Sequence, residues 1–231
     1  MRRRLSLPVV ALGVALAAAV AHASGPSSGP SNPSPAPELP TDRAMTPAER
    51  EALVRQEAED QYEKGRRELE KAEQEFGEAQ ALLAAGDEKS AEKAKKKEES
   101  ARKKFGKAAD NFREATVVWP AHADAWNLLG YCLRRQDRLE EAFDAYWHCL
   151  EIDPEHAGAH EYLGEAWLQA GRPEQAANEL AWLERRKAPE AEALRQAIAR
   201  YRSVHPTAAA PDTAATALEK PAVADTASGT R

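Results

Sequence analysis

Apolar and small residues recur through residues 62–83 at steps of three and four: Tyr62, Gly65, Leu69, Ala72, Phe76, Ala79 and Leu83. This is the seam of one helix. Thr46-Pro47-Ala48-Glu49 ahead of it offers a capping hydroxyl, a proline suited to the first helical position and a glutamate that completes a capping box. Gly86-Asp87 breaks the pattern, and a second seam follows at Ala91, Ala94, Ala101, Phe105, Ala108, Phe112 and Ala115. Folded back at Gly86, the seams pair Leu83 with Ala91, Ala72 with Ala101, Gly65 with Ala108 and Tyr62 with Phe112. The paired numbers sum to 173 or 174 throughout, so one antiparallel register serves the whole length. Charge agrees with that pairing. Glu68, Glu70, Glu73, Glu75 and Glu78 on the first arm face Lys93, Lys95, Lys96, Lys97, Lys103 and Lys104 on the second.

A different, shorter spacing begins at Ala123. Trp126-Asn127-Leu128-Leu129-Gly130 is followed by Leu133, Ala142, Tyr146 and Pro154, which predicts helices near 123–135 and 139–151 joined by Gln136-Asp137-Arg138. Gly130 and Ala142 are small where two helices would cross closely. Asp153-Pro154 ends the unit. A shift of 34 residues finds Leu163, Gly164, Trp167 and Ala176 in the slots of Leu129, Gly130, Leu133 and Ala142. Leu180 takes the aromatic slot, His160 takes the Trp126 slot, and Gly171-Arg172-Pro173 makes the turn. A shift back finds Ala108, Phe112, Ala115 and Pro120, but Lys96 stands where glycine belongs. The missing first helix is therefore displaced: Gly65 to Ala108 spans 43 positions, whereas Gly130 to Ala142 and Gly164 to Ala176 span 12. The 31 extra residues predict an overhanging tip in which residues 71–101 touch only their own hairpin and are dispensable to the rest. Ala191, Leu194, Ala197, Ile198 and Tyr201 predict a last helix that caps the array.

Trp-x-x-Leu-Gly, a later Ala-x-x-x-aromatic and a closing proline at a period of 34 resemble the tetratricopeptide repeat. The resemblance implies an all-α fold, an α-solenoid of about three helical hairpins, the first strongly lengthened, with a C-terminal capping helix. It also implies a concave groove lined by the first helix of each hairpin. Mapped onto this chain, the groove positions are Asp124, Asn127, Tyr131, Arg134 and Arg135, then Glu161, Glu165, Leu168 and Gln169. Asn127, Tyr131, Arg134, Arg135, Glu161, Glu165 and Gln169 are the expected partner-binding residues, their polar groups holding the backbone of an extended peptide. Tyr131 and Arg134 are expected to project into the groove, so that changing them leaves stability unaltered. The Lys/Asn/Arg clamp that some relatives use for peptide C-termini is not reproduced.

The flanks read differently. Arg2-Arg3-Arg4, the apolar run Leu7–Val20 and Ala21-His22-Ala23 have the form of an export signal over residues 1–23, general secretory or twin-arginine. Cleavage would start the mature chain at Ser24, and the loss of three arginines moves the formal net charge from −6 to −9. Residues 24–45 are a Pro/Ser-rich linker and 205–231 an Ala/Pro/Thr-rich tail, both expected to be disordered. Between them lie the long hairpin at 46–120, two repeats at 121–190 and the cap at 191–204. The compartment is expected to be secreted, periplasmic in the bacterial manner, with no stable membrane span. An acidic body argues against nucleic acid as partner.

Candidate chemistry is sparse. Cys132 and Cys149 are the two cysteines, at packed positions on different faces of one hairpin; two buried thiols are expected rather than a disulfide. His156 and His160 are four apart, yet no HExxH accompanies them, so no metal site is expected. There is no Gly-rich phosphate loop and no G-x-S-x-G. Neither a cofactor nor an active site is expected. Two readings remain open. One is a non-enzymatic adaptor that binds a protein or peptide in its groove; the other is an assembly element that self-associates as a homodimer through the 66–105 hairpin tip.

Overall fold

The computed structural model describes residues 45–206, and the export signal, most of the linker and nearly all of the tail lie outside them. Among the described residues there are seven helices and no strand. They are α1 (Pro47–Ala84), α2 (Glu88–Val118), α3 (Ala123–Arg134), α4 (Leu139–Ile152), α5 (Ala157–Gln169), α6 (Pro173–Arg186) and α7 (Glu190–Val204). Thr46 and Glu49 form the capping box at the start of α1. Consecutive pairs α1–α2, α3–α4 and α5–α6 form hairpins, and α7 docks on both α5 and α6.

The first hairpin closes on a heptad of small residues. Ala58, Gly65, Ala72 and Ala79 on α1 are buried, as are Ala94, Ala101, Ala108 and Ala115 on α2. Each set steps by seven, the spacing of a coiled-coil seam, and side chains this small let the two backbones approach closely along the whole length. Phe105 and Phe112 are also fully buried, Phe112 against Tyr62 and Gly65 of α1 and Phe105 against Tyr131 of the next hairpin.

The glycines show why the displaced repeat still belongs to the series. A Cβ on Gly130 would lie 2.6 Å from the Tyr146 ring, and one on Gly65 would lie 2.7 Å from the Phe112 ring. The same ring edge presses on each glycine. What demands glycine is thus the aromatic ring four residues beyond the facing alanine, not the alanine itself. At Gly164 the part is taken by Leu194 of α7, 2.5 Å from the corresponding position. Leu180, the residue expected there, is only partly buried. The capping helix thus completes the last hairpin.

Polar devices repeat with the same period. Trp126 Nε1 donates to the Pro120 carbonyl at 2.9 Å, and His160, in the same slot, sets Nε2 3.2 Å from the Pro154 carbonyl. Trp126 packs on His148, and His160 stacks on Trp182, so the two ring types exchange places between repeats. Asp137 has φ 62 at the turn where the next repeat has Gly171 with φ 74. Asp is among the residues that tolerate the left-handed region.

The tip is shorter than the sequence implies. Glu73 accepts a hydrogen bond from Tyr131, Arg135 lies 3.7 Å over the Phe76 ring, and Arg102 donates to the Gln136 carbonyl at 2.6 Å. Ala72 and Ala101 belong to the shared core. Residues 71–101 therefore do not touch only their own hairpin; their inner third braces α3. Of the 66–105 segment, only the part beyond Phe76 and before Ala101 remains for self-association. There Leu83 is 45% exposed, and Lys97 pairs with Glu78.

Candidate partner-binding groove

The first helices of the hairpins, together with α7, lie parallel in one layer. Glu59 and Glu73 of α1 meet His122 and Tyr131 of α3. Asp124, Tyr131, Arg134 and Asp137 meet His156, Tyr162, Glu165 and Gln169 of the next helix. Gly164 and Gly171 meet Leu194 and Tyr201 of α7. This layer forms the face on which the expected binding residues converge, and two clefts open on it. One, of about 410 Å³, is bordered by Arg134, Glu165, Gln169, Ala197 and Tyr201. The other, of about 280 Å³, is bordered by Phe76, Arg102, Phe105, Arg135 and Gln169.

The residues expected to be free in solvent are largely engaged with neighbouring helices. Asn127 is 6% exposed and lies against Gly158. Arg134 is 9% exposed and donates to Glu165 at 2.5 Å. The expectation that Arg134 can be exchanged without loss of stability is therefore overturned: its side chain ties α3 to α5 beneath the groove. Tyr131 is half-buried between Phe105 and Tyr162, and burial with the bond to Glu73 holds its hydroxyl well above the usual tyrosine range. Arg135 stacks on Phe76. Gln169 is exposed and donates to Asp137 at 2.9 Å. Glu161, Glu165 and Leu168 lie on α5 toward α7. Glu73, Phe76, Tyr162 and Glu190 also reach this layer. The tetratricopeptide positions do not include them, and Glu73 and Phe76 are placed only by the unusual length of α1.

Glu161 is the electrostatic focus. Burial, then the nearby carboxylates of Glu165 and Glu190, push its carboxyl up to about 7, with Arg134 opposing. A raised carboxyl favours the folded state fully below the unfolded value, and the benefit is lost as pH rises through 7. Ionised Glu161 therefore costs stability at alkaline pH, about 1–2 kcal/mol once its partial solvent exposure is discounted. Glu161→Gln should raise the melting temperature by about 3–6 °C above pH ~8. The gain should vanish below about pH 5, where the native residue is also neutral. Paired thermal melts across that range check it.

Two histidines have a structural part. His122 and His156, one period apart, cap α3 and α5: each Nδ1 accepts from the backbone N–H three residues on, at 3.4 and 3.0 Å. Histidine is not among the usual capping residues, which hides this role in the sequence. Cys132 and Cys149 are buried free thiols. Burial pushes the Cys149 thiol up to about 12, leaving it little thiolate for nucleophilic or redox chemistry.

A parallel inner layer backed by antiparallel outer helices defines an α-solenoid of helical hairpins. Residues 97–146 and 149–192 match the tetratricopeptide repeat family model, and the chain is a tetratricopeptide repeat protein. The match begins inside α2 and leaves out α1, the displaced helix. This family's fold serves protein–protein interaction. The peroxisomal targeting signal receptor of Candida albicans is 36% identical over 74 residues, which is 32% of this chain and 12% of that protein's length. Among the described residues, no helix is long and apolar enough to cross a membrane.

Proposed function

We propose that the chain is a non-enzymatic adaptor of the bacterial cell envelope that binds an extended protein segment across the inner faces of α3, α5 and α7. The observation that carries the reading is the convergence of the groove positions of both repeats on one layer bordered by open clefts. The likeness to a receptor for a targeting signal supports a peptide as partner class. The arginine-rich n-region, apolar run and A-x-A site support export and cleavage before Ser24. Capture from envelope extract tests the binding. Glu161→Lys with Gln169→Lys reverses or adds charge on the groove without filling the core, and should abolish capture while helicity and melting persist. Equal capture by the wild type and this double variant would remove the groove from the function. Mass spectrometry of exported material should show Ser24 as the first residue; retained Arg2–Arg4 would refute the envelope assignment.

A further inference from the structure

The first helix begins before the first repeat does. Gly130 lies seven residues after Ala123, where α3 starts, and Ala58 stands seven residues before Gly65. Ala58 is also the first buried residue of α1. Residues 47–57 therefore form an extension ahead of the repeat, about 16 Å of helix at the usual rise. All of them are exposed. The second helix ends at Val118, which the hairpin register sets opposite residues 55 and 56, so the outermost turns have no α2 residue facing them. Short helical stretches gain their stability chiefly from packing. Of the seven exposed large hydrophobic residues among those described, Met45, Leu53, Val54 and Val117 gather here, which singles out this end as open apolar surface.

The extension carries two stripes. Ala48, Ala52, Arg55 and Glu59 border a cleft with Trp119, and this side is engaged within the chain: Arg55 lies 5.3 Å over the Trp119 ring and pairs with Glu51 at 2.6 Å. At 3.6 residues per turn, Arg50, Leu53, Val54 and Glu57 fall on the opposite side. Leu53 and Val54 are 57% and 40% exposed there. The charges that flank them find no counter-charge at the spacings a helix allows. Arg50 has Thr46, Pro47, Leu53 and Val54 three or four residues away, and Glu57 has Leu53, Val54, Asp60 and Gln61. Elsewhere on α1, Arg66 pairs with Glu63 and Lys71 with Glu68.

We infer that this stripe is a twofold interface on which a second copy of the chain docks antiparallel. Opposite charges seven residues apart, with an apolar pair between them, are self-complementary under a twofold axis. A pairing centred between Leu53 and Val54 sets Leu53 of one copy against Val54 of the other. It also sets Arg50 beside Glu57, twice over. A parallel pairing would set Arg50 against Arg50, so the charges fix the direction. An interface of about three helical turns falls below the roughly 1,200 Å² of stable complexes, so association is weak and depends on concentration. The hairpin tip lies at the far end of α1 and takes no part. Two joined copies present two grooves, so a partner with two binding segments is held more strongly than by one copy.

Sedimentation equilibrium of the full chain, from micromolar to near-millimolar concentration, tests this. The mean mass should rise from that of one chain toward that of two. Arg50→Glu and Glu57→Arg should each weaken association roughly tenfold, because two attractive contacts turn repulsive. The variant carrying both changes, and an equimolar mixture of the two single variants, should regain it. Leu53→Glu with Val54→Glu should leave a monomer that melts within a few degrees of the wild type, since both side chains are exposed. A wild type that stays monomeric throughout, or that associates no better than the single variants, would overturn the inference. Loss in the single variants without recovery in the double variant would overturn it equally, because the twofold pairing requires that recovery.

Discussion

Replacing Arg134 by glutamate should lower stability by about 3–5 kcal/mol, the usual cost of breaking a buried ion pair and leaving its partner uncompensated. The new carboxylate would lie in a nine-tenths-buried site beside Glu165, with the Tyr131 ring below it. Melting temperature should fall by about 6–20 °C for a folded part of this size. Arg135→Glu is the control. Arg135 stacks on exposed-edge aromatic surface with no ion pair in the core, so its loss should cost about 1 kcal/mol. Circular dichroism melts of the two variants separate them. Equal, small effects would mean that Arg134 points to solvent and that α3 is rotated from its described facing.

Two deletions in the long hairpin should differ as strongly. Removing residues 71–101 takes away Ala72, Phe76 and Ala101 from the core and its margin, together with the Glu73 bond to Tyr131. It also strips Arg135 of its stacking partner. Losing the partly buried Phe76 together with the buried Ala72 and Ala101 costs about 2–5 kcal/mol, so this variant should unfold early or aggregate. Removing residues 77–83 with 90–96 shortens each arm by seven residues. It keeps the turn, and a heptad step nearly preserves the facing of the seam. Only Ala79 and Ala94 leave the buried set. This shorter variant should melt within a few degrees of the full chain. The reverse order of stability would mean that the outer tip holds the fold and that the inner third does not brace α3.

The sequence shows the period clearly because the period is a packing rule. A glycine every repeat can be read at Gly130 and Gly164, and at Gly65 once the hairpin register is known, because each meets a large side chain closely. The heptad of alanines is equally legible, since a small residue every seventh position has a geometric meaning. Facing is harder. Asn127 and Arg134 occupy groove positions by spacing, but the layer packs tightly enough that α5 buries both. Spacing along one helix cannot report how near the next helix lies. Glu73 and Phe76 escape notice for another reason: they reach α3 only because α1 runs on past the crossing at Gly65, as far as Ala84. Leu194 follows the same logic, since nothing in α7 alone says that it seats over Gly164.

A photo-activated cross-linker placed at Gln169, exposed on the inner layer between the two clefts, and in a second protein at Asp144, exposed on α4 of the outer layer, tests the groove directly. Irradiation in envelope extract should give a discrete adduct from position 169 and none from position 144. An adduct from position 144 without one from 169 would contradict the account, because the partner would then sit on the outer helices.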